Sequence, residues 1–204
     1  MSKKEKGTEY KIKEAARKVF LEKGFTATKT RDIAEEADIN LALLNYYFRS
    51  KKKLFDIIMT ETLQSFFSGV ISMFNDERTT LKEKVSLFAN HYIDLLSENQ
   101  NIAPFLINTV RENPDEYIAK IGILDKAKES FFVKQFMEGI TKGDIPPINP
   151  LHFMVNLIGL VVFPFIAQPM ISAISSIPED QFLNTLQERK RLIPLWMESM
   201  LSVK

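Results

Sequence analysis

Between Leu41 and Lys53 the chain sets one amide, Asn45, beside two phenols, Tyr46 and Tyr47, and follows them with the cations Arg49, Lys51, Lys52 and Lys53. Those side chains suit nucleic acid. An outward Asn binds adenine in bidentate fashion and Leu or Ala meets a thymine methyl, each good base contact discriminating by about 1–3 kcal/mol, while Lys and Tyr suit phosphate oxygens. Catalytic chemistry finds little here: there is no Cys, only His91 and His152, no Gly-rich phosphate loop and no metal-spaced His pair. His91 and Asp94 share a helix face and read as a hydrogen bond rather than a metal site. The expectation is a protein that is not an enzyme and carries no metal or cofactor.

Positioning those side chains takes helices. From Tyr10, apolar residues recur at Ile12, Ala15, Ala16, Val19 and Phe20, a helical spacing, and Gly24 offers a stop. Thr28 and Thr30 are both N-cap candidates for a short second helix holding Ile33, Ala34 and Ala37. Asp38-Ile39-Asn40 has turn character, because Asp and Asn tolerate left-handed backbone and bond their own main chain. A third short helix spans Leu41 to Phe48. In it Leu44 and Phe48 face a core with Ile33, Ala34 and Ile39, which turns Leu41, Ala42, Asn45 and Tyr46 outward. Ser50 caps a longer fourth helix carrying Leu54, Ile57, Ile58, Phe66, Val70 and Phe74. Two short helices joined by a tight turn, framed by a helix before and after, form a helix-turn-helix, whose second short helix enters the major groove. Charge agrees with this placement: residues 1–60 hold 14 Lys and Arg against 9 Asp and Glu, in a chain whose net charge is +1. Lys3, Lys4 and Lys6 read as a frayed tail.

The segments Ile33-Ala34-Glu35-Glu36-Ala37 and Leu44-Asn45-Tyr46-Tyr47-Phe48-Arg49-Ser50-Lys51 resemble the DNA-binding signature of the TetR family of transcriptional regulators. The resemblance covers about residues 8–55, including Ala15-Ala16, Phe20 and Gly24-Phe25. It implies that Thr30, Tyr47 and Lys51 bind operator phosphates and that Arg31 and the stretch Leu41, Ala42, Leu43 touch bases. With Thr28, Asn45 and Tyr46, these residues make up the expected DNA-facing set. The chain departs from the family pattern at Asp38, where Gly is common, and at Asn45, where Tyr is common and often holds a phosphate. Tyr46 or Tyr47 has to supply that contact here.

Further helices are expected at about 80–98, 101–112, 115–142, 150–176 and 179–202. The fold class is all-α, about nine helices: a three-helix head over residues 1–52 and a larger effector-binding and dimerising body over 53–204. From Ile145 to Pro178 there is no Lys, Arg, Asp or Glu, a run long enough to raise a membrane span. Asn156, Gln168, Pro164 and Pro169 interrupt it, so a buried interface fits better and no membrane partner is expected. In the family resembled, the last two long helices pair with their symmetry mates. That implies a homodimer face of Phe153, Leu157, Leu160 and Val161 with Leu186, Ile193, Trp196 and Met197. Two heads on one dimer would read a two-fold palindromic double-stranded operator. Phe66, Phe67, Phe88, His91, Tyr92, Phe105, Asn108, Phe132 and Phe136 form an aromatic-rich set that can line an apolar cavity for a small-molecule effector, with His91, Tyr92 and Asn108 as polar anchors.

Of 204 residues, 45% are hydrophobic and 26% charged, the balance of a folded soluble chain. The lack of Cys permits a reducing compartment, and Met1 to Tyr10 is lysine-rich without an apolar signal core, so a cytoplasmic protein is expected. Two other readings stay open: a dimeric helical interaction protein without DNA binding, and a helical enzyme.

Overall fold

The computed structural model describes residues 3–122 and 129–202, and every regular element among them is an α-helix. Eleven helices are present among the described residues: α1 (Lys3–Ala27), α2 (Thr30–Glu36), α3 (Leu41–Tyr47), α4 (Lys51–Asn75), α5 (Leu81–Glu98), α6 (Ile102–Glu112), α7 (Pro114–Ile121), α8 (Phe131–Lys142), α9 (Pro150–Ile166), α10 (Gln168–Ser175) and α11 (Glu179–Leu201). The count exceeds the expected nine because two long helices are each broken. The stretch read as 115–142 becomes α7 and α8, with 123–128 outside the described residues. The stretch read as 150–176 becomes α9 and α10, bent by 67° at their junction. Pro169 lies just past that junction and has no N–H to continue the helix.

The chain divides into two compact units, residues 1–66 with 105–121 and residues 67–104 with 122–204. In the first, Ile12, Ala16, Phe20, Ile33, Leu44, Leu54 and Ile58 are buried. α1 begins already at Lys3, so the expected frayed tail is helical, and it is interrupted at Gly24, whose φ of 72° and ψ of 174° form a combination that only Gly adopts freely. α2 is capped by neither Thr28 nor Thr30. Its N-cap is Lys29, whose N–H donates to the Asp32 carboxylate at 2.9 Å. That bond, helped by Lys23, holds the Asp32 carboxyl below its ordinary range. Asp38 takes a left-handed φ of 48° in the turn, and Asn40 caps α3 by accepting from Leu43 N–H at 2.8 Å. Phe48 is the C-cap of α3 rather than its last helical residue.

Polar contacts bind α1 to the first half of α4. Lys13 and Arg17 both donate to Glu61, Arg17 Nη2 at 3.0 Å, and Arg17 Nη1 reaches Thr62 Oγ1 at 2.6 Å.

In the second unit α5 lies along α11 and α9. It starts with a reciprocal cap, Thr80 N–H donating to Glu83 at 2.8 Å and Glu83 N–H to Thr80 Oγ1 at 3.2 Å. Ser130 opens α8 and Gly143, at φ 80°, ends it. Within α9, Pro164 lacks the N–H that would bond the Leu160 carbonyl. Arg189 Nη2 on α11 donates to that carbonyl at 2.9 Å instead, while its guanidinium sits 5.0 Å over the Trp196 ring. One side of the uncharged run is thus covered from inside the chain, with Phe153, Leu157, Val161 and Phe165 buried.

Candidate functional site

Leu44 and Phe48 are buried, which anchors α3 to the first unit's core and fixes which of its sides looks out. Ala42, Asn45 and Tyr46 are exposed, Tyr46 at 74%, and Leu41, Leu43 and Tyr47 are half-buried beside them. The Tyr46 and Tyr47 rings meet edge to face, 5.4 Å apart. α2 contributes exposed Arg31 and half-buried Thr30. One helix side therefore offers an amide with donor and acceptor, two phenols and several apolar side chains. A helix of this width fits a major groove about 12 Å wide. Arg49 and Lys53 are exposed and form no ion pair among the described residues, whereas Lys52 is paired with Asp56 at 2.6 Å. Arg49 and Lys53 had only the run of cations after α3 to mark them.

Two of the expected DNA-facing residues hold partners within the chain. Thr28 is 1% exposed and its hydroxyl donates to the Gly24 carbonyl at 2.6 Å, so it closes the α1 end and faces no groove. Lys51 Nζ donates to the Phe25 and Thr28 carbonyls, both at 2.8 Å, and stands 4.3 Å from the Phe25 ring centroid.

The expected effector set divides between the two units. Phe105, Asn108 and Phe66 belong to the first unit, where Phe105 meets Phe55 at 5.8 Å. Phe67, Phe88, His91, Tyr92, Phe132 and Phe136 belong to the second. There the rings pack on one another: Phe74 stacks on Phe88 at 5.7 Å and on Phe132 at 4.9 Å, and Phe136 meets Phe153 at 5.3 Å. Burial pushes the Tyr92 hydroxyl up to about 12. His91 and Asn108 are exposed. A cleft of about 540 Å³ lies elsewhere in the second unit. Its walls are apolar at Val85, Phe131, Ile145, Phe153, Met197 and Leu201 and polar at Thr80, Lys82, Gln135, Glu138, Asp144 and Glu198.

Most of the expected dimer face is taken up by packing inside the chain. Phe153, Leu157, Val161, Leu186, Ile193 and Met197 are buried within the chain, Leu160 is half-buried, and Trp196 stays open at 39%. The apolar side chains that α9 and α11 leave open are Leu151, Val155, Ile158, Phe163, Leu195 and Trp196. Among the described residues no cluster of His, Asp and Glu is grouped to hold a metal ion.

Residues 12–58 match the family model described as bacterial regulatory proteins, tetR family. Over 82% of this chain and 81% of its own length, the probable HTH-type transcriptional regulator YttP of Bacillus subtilis (strain 168) is 27% identical. The fatty acid metabolism regulator protein of the same organism is 26% identical over 70% of this chain and 73% of its own. Among solved structures, the transcriptional regulator FadR from Bacillus subtilis in complex with stearoyl-CoA superposes with a TM-score of 0.62 at 20% identity, covering 90% of this chain and 96% of that one. HlyIIR, a hemolysin II transcriptional regulator, gives 0.59 at 19% identity over 89% and 97%.

Proposed function

We propose that this chain, whose residues 12–58 match the TetR family model, is a member of that family of helix-turn-helix transcriptional regulators and a homodimeric repressor, released from a palindromic operator by a small apolar or aromatic effector. The observation that carries the proposal is the outward side of α3, where Ala42, Asn45 and Tyr46 are exposed while Leu44 and Phe48 are buried. Asn45 reads an adenine edge, Arg31 and the Leu41 to Leu43 stretch meet neighbouring bases, and Thr30, Tyr46 and Tyr47 hold phosphates. Residues 1–52 form the reading head, and 53–204 the part that dimerises and senses.

Two copies join through Leu151, Val155, Ile158, Phe163, Leu195 and Trp196, an apolar set that a second copy would remove from water. A head that reads one half-site binds weakly, and two heads set a whole number of DNA turns apart add their contacts. The FadR structure holds stearoyl-CoA, a molecule with a long apolar chain. That supports an effector with an apolar body for this chain, which acts by favouring a conformer whose head spacing misses the operator. The site of action is the cytoplasm.

The test is selection from a pool of random duplex DNA by the pure protein at low salt, followed by sequencing. The proposal expects enrichment of a two-fold palindrome. No enrichment would sink it and leave a helical interaction protein in its place.

A further inference from the structure

The ammonium of Lys51 has three N–H donors. Two of them end on the Phe25 and Thr28 carbonyls at 2.8 Å, and the Phe25 ring lies 4.3 Å away on another side. Carbonyls and an aromatic face are what a lysine head accepts in place of water or an anion. The ring is itself held, since Phe25 packs on Phe55 at 4.8 Å and on Phe20 at 6.5 Å. The carbonyl of Thr28 lies just before α2 begins at Thr30, and Lys51 opens α4 just after α3 ends at Tyr47. One side chain therefore joins the entry of the helix-turn-helix to its exit. Elsewhere in the first unit α1 meets α4 through Arg17, Glu61 and Thr62, farther along both helices.

We propose that Lys51 is a positioning residue for DNA reading rather than a phosphate contact: it clamps the two ends of the α2–α3 segment together and so sets how α3 is presented. The proposal rests on the reading of the head as a DNA binder. It separates two consequences that a phosphate contact would join. A lost phosphate contact weakens binding to every duplex and lowers the dependence on salt. A lost clamp misdirects α3, which weakens binding to the right sequence and leaves the backbone contacts in place.

The experiment compares the full-length parent, Lys51→Met and Lys51→Arg on two probes: a duplex recovered by the selection described above, and a random-sequence duplex. Affinity is measured across a salt series at a temperature where circular dichroism shows each protein folded. Lys51→Met is expected to lose roughly tenfold or more on the selected duplex, with random-duplex affinity and salt slope unchanged. Lys51→Arg is expected not to restore binding, because a planar guanidinium does not fit a cage built around an ammonium. A slope shallower by about 0.9 per copy, with Arg restoring affinity, overturns the proposal in favour of phosphate contact. Unchanged affinity for the selected duplex with only a lower melting temperature also overturns it, since the clamp would then serve the fold alone. Should Lys51→Met not fold, Phe25→Leu takes its place: it keeps both carbonyls and removes the ring. Its expected loss on the selected duplex is about threefold with the slope intact, and an unchanged affinity contradicts the clamp. A parent that retains no duplex contradicts DNA binding itself and the clamp with it.

Discussion

In the first unit, Lys51, Thr28 and Arg17 each hold named acceptors with short bonds, two carbonyls at 2.8 Å, one at 2.6 Å and a hydroxyl at 2.6 Å. In the centre of the second unit, Phe74, Phe88, Tyr92, Phe132, Phe136 and Phe153 meet ring to ring. Directional bonds fix angles, and the first unit must aim a seven-residue helix. Ring packing fixes volume, and many arrangements of rings satisfy it equally well. Near α3, where directional bonds prevail, substitution is therefore expected to cost aim before stability, and in the second unit's ring cluster stability before anything else.

The largest expected effect falls on the ring cluster. Phe132, 1% exposed, touches Phe74, Phe136 and Phe153, and Phe132→Ala is expected to cost about 3–5 kcal/mol of stability in urea unfolding. A loss under about 1 kcal/mol would show that the cluster yields easily and would blur the contrast between the units. Next comes Trp196→Ala, which removes the aromatic at the open side of α11. Sedimentation equilibrium is expected to show the dimer weakened by about 2 kcal/mol or more, as for a buried aromatic anchor, and an unchanged constant would move the interface elsewhere. Gly24→Ala forces a side chain into φ 72°, ψ 174°. The expected loss is about 1–3 kcal/mol of stability, and DNA affinity should fall further than that loss of folded protein explains. The smallest effect is expected at Lys53, exposed and without an ion pair among the described residues. Lys53→Met should leave stability alone and flatten the salt slope of binding by about 0.9 per copy; an unchanged slope would remove Lys53 from the phosphate-facing edge.

The same contrast decides what could be read from the sequence. Gly24, Asp38 and Asn40 marked the ends and turn of the head correctly, because few residue types tolerate a left-handed backbone or cap a helix. The phase of α3 was legible for a similar reason: Leu44 and Phe48 had Ile33, Ala34 and Ile39 to pack on, so Asn45 and Tyr46 had to face out. The N-cap of α2 was not, because Asp32 accepts from Lys29 N–H while the nearby Thr28 hydroxyl is drawn to a carbonyl that only the folded α1 supplies. The two carbonyl partners of Lys51 were hidden for the same cause, since they lie on the main chain of a distant segment.

In the body, α9 carries apolar residues on every side, so its periodicity has no polar stripe to set the phase. Phe153, Leu157 and Val161 look like an interface in the sequence no less than Leu151, Val155 and Ile158 do; only the packing tells which set faces inward. The effector set is hard to place for a related reason. Aromatic residues announce burial but not which neighbours they bury against, and Phe105 and Phe132 ended in different units.

The claim that the exposed side of α3 reads bases is tested most directly by selecting palindromes from the same random pool with the parent and with Asn45→Ala, then comparing the two motifs. One symmetric position in each half-site should lose its base preference, equivalent to about 1–3 kcal/mol, with the rest of the palindrome kept. Identical motifs from the two proteins would contradict it.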